Sequence, residues 1–215
     1  MVMVATTDQK ARLLDLTTGV LELVRDGKRD PEEVCDVLQV IKGERNFAFI
    51  LGCKQQILIS RFKIRKTIKL GLHKSPKEYR KTFAGKCEIG TYTGQILDET
   101  PVSQDEVAIG LVFVMGRQLG FKRSACRDAI YAHALELGLE KCPAEVGPAL
   151  REQYPDQPMG EGVVIGMDPI ADSGGDLRVF GVEHYDGGLW LYGGRGNPDR
   201  VWNPDDLWVF ALSRK

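Results

Sequence analysis

After Pro158 the chain breaks into short runs of Val, Ile, Phe and Trp separated by Gly-Gly, Asp-Gly and Asn-Pro pairs. Runs of this length are too short for stable helices, and the residues between them favour turns, so the segment is restricted to paired strands. Strands are predicted near Gly162–Met167, Leu177–Glu183, Leu189–Tyr192 and Leu207–Leu212, with Ser173-Gly174-Gly175 and Asp186-Gly187-Gly188 as turns. Short successive connections imply an antiparallel meander. A sheet with an apolar face needs a cover, and the residues before it supply helical patterns.

Ser75-Pro76-Lys77-Glu78 reads as a helix start, with a serine cap and a glutamate three residues on, and Gly85 as the stop. Residues 86–104 show no clean period and read as an irregular connection. Asp105–Leu119 is apolar on most sides, which predicts a buried central helix; its Val and Ile content keeps a strand as the alternative. Ser124–Leu137, closed by Gly138, and Pro143–Tyr154, with Pro148 expected to kink it, complete a helical run. Towards the other end, Leu13 to Val24 and a second segment opened by Asp30-Pro31-Glu32-Glu33 predict a helical pair. The apolar faces of that pair are narrow, so it is expected to pack on the rest of the chain or to serve homo-oligomer or protein-partner contacts. The expected class is α+β: an N-terminal helical pair, then helices packed against a C-terminal antiparallel β-meander. The expected division is 1–52 helical, 53–66 a basic strand or junction, and 67–215 an α+β domain, with helices to about 155 and strands over 160–213.

Three passages carry a resemblance: TIKLGLHKSPKEY from Thr67, LELGLEKCPAEVGPALREQYPDQPMGEG from Leu135, and VWNPDDLWVF from Val201. Over about residues 67–215 the chain resembles a family of uncharacterised hypothetical proteins from uncultured candidate-phylum bacteria. The resemblance implies no activity, and no catalytic or binding residue is carried over from it.

The net charge of −1 conceals a division: residues 51–90 hold 11 basic and 2 acidic side chains, and residues 91–215 hold 11 and 19. From Ile57 to Leu70 the apolar residues alternate with basic ones, as on a strand, with a break expected near Arg65-Lys66. Arg61, Lys63, Arg65, Lys69, Lys74, Lys77, Arg80 and Lys81 therefore form a candidate nucleic-acid-binding segment within 61–86, interleaved with Phe62, Tyr79 and Phe83. The alternative is a junction whose cations meet the acidic C-terminal part. Ser124–Leu137 and Pro143–Tyr154 follow one another like a helix-turn-helix. The second of them, however, carries Glu145, Glu152 and only one Arg, a poor set for reading base edges.

Asp172-Ser173-Gly174-Gly175 is similar, over four residues, to the nucleophile loop of chymotrypsin-like serine proteases. Ala171 stands where that motif has glycine, and a hairpin needs the same residues for its backbone alone. His184, beside Glu183, Tyr185 and Asp186, is a candidate general base, so a hydrolase site near His184 and Asp172 is one reading, and a solvated strand end is the other. The histidines His73, His133 and His184 are too dispersed for a metal motif, and Gly193-Gly194-Arg195-Gly196 lacks the Lys-Ser/Thr ending of a phosphate loop. No metal and no cofactor is expected. Trp190 and Tyr192 share one strand face and, with Tyr185, Trp202 and Trp208, form either core or an aromatic binding surface.

Five dispersed cysteines fit reduced thiols, no run approaches ~18 apolar residues, and the opening residues lack the apolar core of a secretory signal. A cytoplasmic location without membrane contact is expected. The function expected first is a non-catalytic binding or interaction protein, with a nucleic-acid binder and then a hydrolase as alternatives.

Overall fold

The computed structural model describes residues 62–212. The expected helical pair, Arg61 and the start of the 57–70 strand lie outside them.

The sheet has eight strands, here in chain order: β1 (Lys66–Leu70), β2 (Glu88–Ile89), β3 (Val107–Met115), β5 (Gly162–Ile165), β6 (Ile170–Ala171), β7 (Leu177–Tyr185), β8 (Gly188–Arg195) and β10 (Leu207–Leu212). A two-stranded ribbon pairs β4 (Ala125–Cys126) with β9 (Val201–Trp202). Four helices are described: α1 (Pro76–Phe83), α2 (Thr91–Asp98), α3 (Arg127–Glu136) and α4 (Val146–Gln153). The main sheet runs β1-β3-β10-β5-β7-β8-β2, with β6 paired to β7, and it curls into a half-barrel. No helix among the described residues is long and apolar enough to cross a membrane.

This corrects the expected class of helices against an antiparallel meander. The sheet is mixed, because β10 pairs parallel with β5 and β2 pairs parallel with β8. It also draws in strands from far upstream, since β10 lies antiparallel to β3 and β3 to β1. The segment expected as a central helix is β3. It reads as apolar on all sides because it is an inner strand with cover on both faces: Leu111 points to one face, Val112 and Val114 to the other, and all three are buried. A strand buried on both faces and a buried helix leave the same continuous apolar run, and Val, Ile and Phe pairing across strands decides between them. The connection expected over 86–104 holds β2 and α2.

Local signals served better at helix ends. α1 starts at Pro76, as predicted, and stops at Gly85, which takes φ +72°. Ser75 makes no side-chain cap; Glu78 instead accepts from the Lys74 backbone N–H at 2.8 Å. Pro148 does not cost α4 a hydrogen bond, because it sits in the first turn, where the backbone N–H has no helical partner.

The core has two sides. On one, α4 lies so close to the sheet that a Cβ on Gly147 would sit 2.5 Å from the Phe180 ring, and α2 meets the same face at Gly193. On the other, Tyr131 of α3 stands edge-on to Trp208 at 5.8 Å and to Phe210 at 5.9 Å, and Trp202 of the ribbon meets Trp208 at 4.8 Å. A buried carboxylate fastens the first side. Glu145 accepts from Gly71 N at 2.8 Å, Tyr79 Oη at 2.9 Å and Ser103 N at 2.8 Å, so one side chain ties α4 to three upstream segments.

Candidate ligand-binding surface

The basic segment splits at Arg65-Lys66, where β1 begins. Arg65 stacks on Phe113 at 4.5 Å and donates to Tyr154 Oη at 2.8 Å and Glu161 at 2.7 Å. Lys66 sits over the Tyr154 ring at 4.4 Å and bonds Asp156 at 3.1 Å. Arg65, Lys66, Phe113, Tyr154, Asp156 and Pro158 line a depression of about 260 Å³, smaller than most ligand sites, in which both cations are already neutralised. Lys69 pairs with Glu106 at 3.2 Å, Arg80 grips Asp98 at 2.7 and 2.8 Å, and Lys74 donates to the Gly71 and Gln104 carbonyls. Lys63, Lys77 and Lys81 are exposed and have no side-chain partner among the described residues. The segment thus turns four of its seven described candidate cations towards the protein's own acceptors.

The hydrolase candidates are held apart. Asp172 closes the β6–β7 turn, accepting from Gly174 N at 2.9 Å, Asp176 N at 3.0 Å and Arg178 Nε at 2.9 Å. Burial works to raise its carboxyl, but Arg178 and the two backbone donors outweigh it and hold it below the usual range. His184 lies at the opposite end of β7, roughly 20 Å along the strand, with Nδ1 2.5 Å from the Gln157 carbonyl. The two belong to different ends of the sheet. Among the described residues no three His, Cys, Asp or Glu side chains are placed to hold a metal ion.

The β7–β8 hairpin builds a different constellation. The two-residue turn Asp186-Gly187 sets the register Tyr185↔Gly188, Glu183↔Trp190 and Gly181↔Tyr192. Residues of one parity, Phe180, Val182 and Leu191, are buried beneath α4 and α2. The other parity brings Tyr185, Glu183, Trp190 and Tyr192 onto the outer face, beside Gly162 of β5, which pairs with Glu183. Trp190, Tyr192 and Glu183 are half-buried and Tyr185 is exposed.

The glycines on this face lie beneath its larger side chains. A Cβ on Gly181 would meet the Tyr192 ring at 2.0 Å, so only a glycine leaves room for that ring over the neighbouring strand. A Cβ on Gly162 would meet the Tyr185 hydroxyl at 3.1 Å and Glu183 Cγ at 3.5 Å. The Glu183 carboxylate has no hydrogen bond or ion pair among the described residues, and burial raises its pKa. The Tyr192 phenol is raised by burial first, then by the charges of Glu183 and Asp206. From below, Arg151 of α4 donates to Gln157 Oε1 at 2.5 Å and to the Glu183 carbonyl at 3.3 Å, which pins the strand where Glu183 stands.

Trp190 and Tyr192, read from the sequence as either core or surface, are therefore partly open, whereas Trp202 and Trp208 belong to the core. Glu183 was noticed in the sequence only as a neighbour of His184. Its place opposite Trp190 was available from the Asp186-Gly187 turn, which by itself dictates the pairing.

Comparison of the chain with protein-family models, with curated proteins and with solved structures returns no match.

Proposed function

We propose that this chain is a non-catalytic cytoplasmic binding protein that takes a small ligand on the outer face of the β7–β8 hairpin, over Trp190 and Tyr192. The observation that carries the reading is the placement of Trp190, Tyr192 and Tyr185 on one sheet face with Glu183, whose carboxylate has no partner among the described residues. Isolated exposed aromatics are ordinary, but aromatic residues sharing one sheet face beside a half-buried charge leave contact area and a specific polar handle unused. The strands that hold them are themselves fixed by α4, so little ordering is required on binding.

Nucleic-acid binding through the basic segment is the second reading, and exposed Lys63, Lys77 and Lys81 favour it. One experiment separates the two. Trp190 is the partly open indole, so its emission is followed while saccharides, nucleosides, amines and random-sequence oligonucleotides are titrated in turn, at low and near-physiological salt. The first reading expects a saturable response to a small molecule that disappears in Tyr192→Ala and is insensitive to charge reversal at Lys63, with the loss of binding in Trp190→Ala read by titration calorimetry. Oligonucleotide binding that falls linearly with log salt and is lost on reversing Lys63, Lys77 and Lys81 would transfer the function to the basic segment.

A further inference from the structure

We infer that the start of α2, together with Arg195, is a site for a phosphate group, free or as a monoester, on the face of the β7–β8 hairpin opposite to Trp190 and Tyr192. β2 runs parallel with β8, and a single residue, Gly90, separates the end of β2 from α2. The helix therefore begins at the carboxyl end of β2, beside the later part of β8. Its first turn holds no acidic residue, and Gly90 has no side chain with which to cap it. The N–H groups of Thr91, Tyr92 and Thr93 are left without an acceptor among the described residues, at the positive end of the helix.

Water satisfies most helix starts, and two further features set this one apart. Thr93 is 2% exposed, yet its hydroxyl makes no hydrogen bond among the described residues. That hydroxyl is turned towards the helix start, 3.1 Å from where a Cβ on Gly90 would stand, and Gly193 of β8 lies beneath the residue, where a Cβ would meet Thr93 Cα at 3.4 Å. The second feature is a pair of like charges. Arg195 follows Gly193 by two residues, so it shares the face on which α2 lies, and the register sets it directly opposite Arg178. Arg178 stacks on the Tyr92 ring at 4.5 Å and is neutralised by Asp172 at 2.9 Å and Asp176 at 3.4 Å. Arg195 is exposed and has no acidic partner among the described residues. Two guanidinium groups facing one another across paired strands repel, and an anion held between Arg195 and the helix start offsets that repulsion while it accepts from the first-turn amides and the Thr93 hydroxyl. These donors approach from a helix end and from a strand. The diverging oxygens of a phosphate meet both at once, with a fork left for the guanidinium, whereas the two oxygens of a carboxylate lie in one plane.

Inorganic phosphate, adenosine monophosphate, adenosine and acetate are the probes, each titrated by calorimetry against the full chain in a phosphate-free buffer. Both phosphates are expected to bind, with adenosine and acetate at least about tenfold weaker. A tighter monophosphate identifies an ester as the source of the group, and equal affinities identify free phosphate. Arg195→Gln should weaken both about tenfold through the loss of one charge-assisted contact. Gly90→Asp should abolish binding while the thermal midpoint holds or rises, because the new carboxylate caps the same N–H groups and repels the anion. Trp190→Ala, on the other face, should leave phosphate binding unchanged, so the two sites are tested separately. Adenosine or acetate binding as tightly as phosphate overturns the assignment, and so does phosphate affinity unchanged in either Arg195→Gln or Gly90→Asp once thermal melts show the variant folded. Absence of any response to millimolar phosphate overturns it as well.

Discussion

Tyr154 shows how a single side chain links the basic segment to the stability of the whole unit. Burial first, then its hydrogen bond to Glu161, pushes its phenol up to about 12 from an ordinary value of 10.0. The folded state therefore holds this proton more tightly than the unfolded chain. The resulting stabilisation is complete below pH 10 and is lost as pH rises from 10 towards 12, by up to about 2 kcal/mol. Tyr154→Phe is expected to cost about 1 kcal/mol at pH 7 through the lost hydrogen bond. The gap between the two proteins should narrow, and then invert, in urea unfolding between pH 9 and 11.5; a constant gap would mean that the phenol titrates normally. Side chains of this kind were unequally visible beforehand. The turn role of Asp172 was legible because its backbone partners, Gly174 and Asp176, lie within four residues. Glu145 gave no signal, because the groups it holds are 74, 66 and 42 residues away along the chain.

Helix α4 rests on the sheet by virtue of Gly147. In an open helix Gly→Ala gains up to about 1 kcal/mol from propensity. Here the new methyl would lie 2.5 to 2.6 Å from Phe180 Cγ, Cβ and Cδ2, a clash that needs movement of a fully buried ring or of the helix itself. Overpacking of this sort costs about 1–3 kcal/mol, so Gly147→Ala should lower the urea midpoint; an increase would mean that Phe180 has room to turn aside. Elements whose limits depend on nearby residues were read correctly from the sequence, among them the α1 start at Pro76 and the strand Leu207–Leu212. β3 was read as a helix because its continuous apolarity records burial on both faces, and burial says nothing about whether neighbours are reached by a 3.6-residue or a two-residue period.

At the scale of the molecule, β10 is the strand on which the sheet is joined. It pairs with β3 over six positions and with β5 over three, and its Trp208, Val209 and Phe210 are fully buried. Removal of residues 207–215 should therefore abolish cooperative unfolding altogether, as followed by near-ultraviolet circular dichroism and urea titration. A meander ending in an edge strand would lose only part of its stability, and a truncated chain that still melts sharply would refute the central position of β10. Composition, turn residues and alternation were sufficient to locate β5, β7, β8 and β10, where α1 begins and stops, and which aromatic residues share a face, because each of these depends on contacts within a few positions. Which strand lies beside which, that two of those pairings are parallel, that four of the seven described candidate cations turn to internal acceptors, and that Glu183 stands across from Trp190 with no partner among the described residues all came from the assembled fold. Pairing partners and counter-ions are selected among distant segments by the total burial they achieve together, and no local stretch of residues contains that comparison.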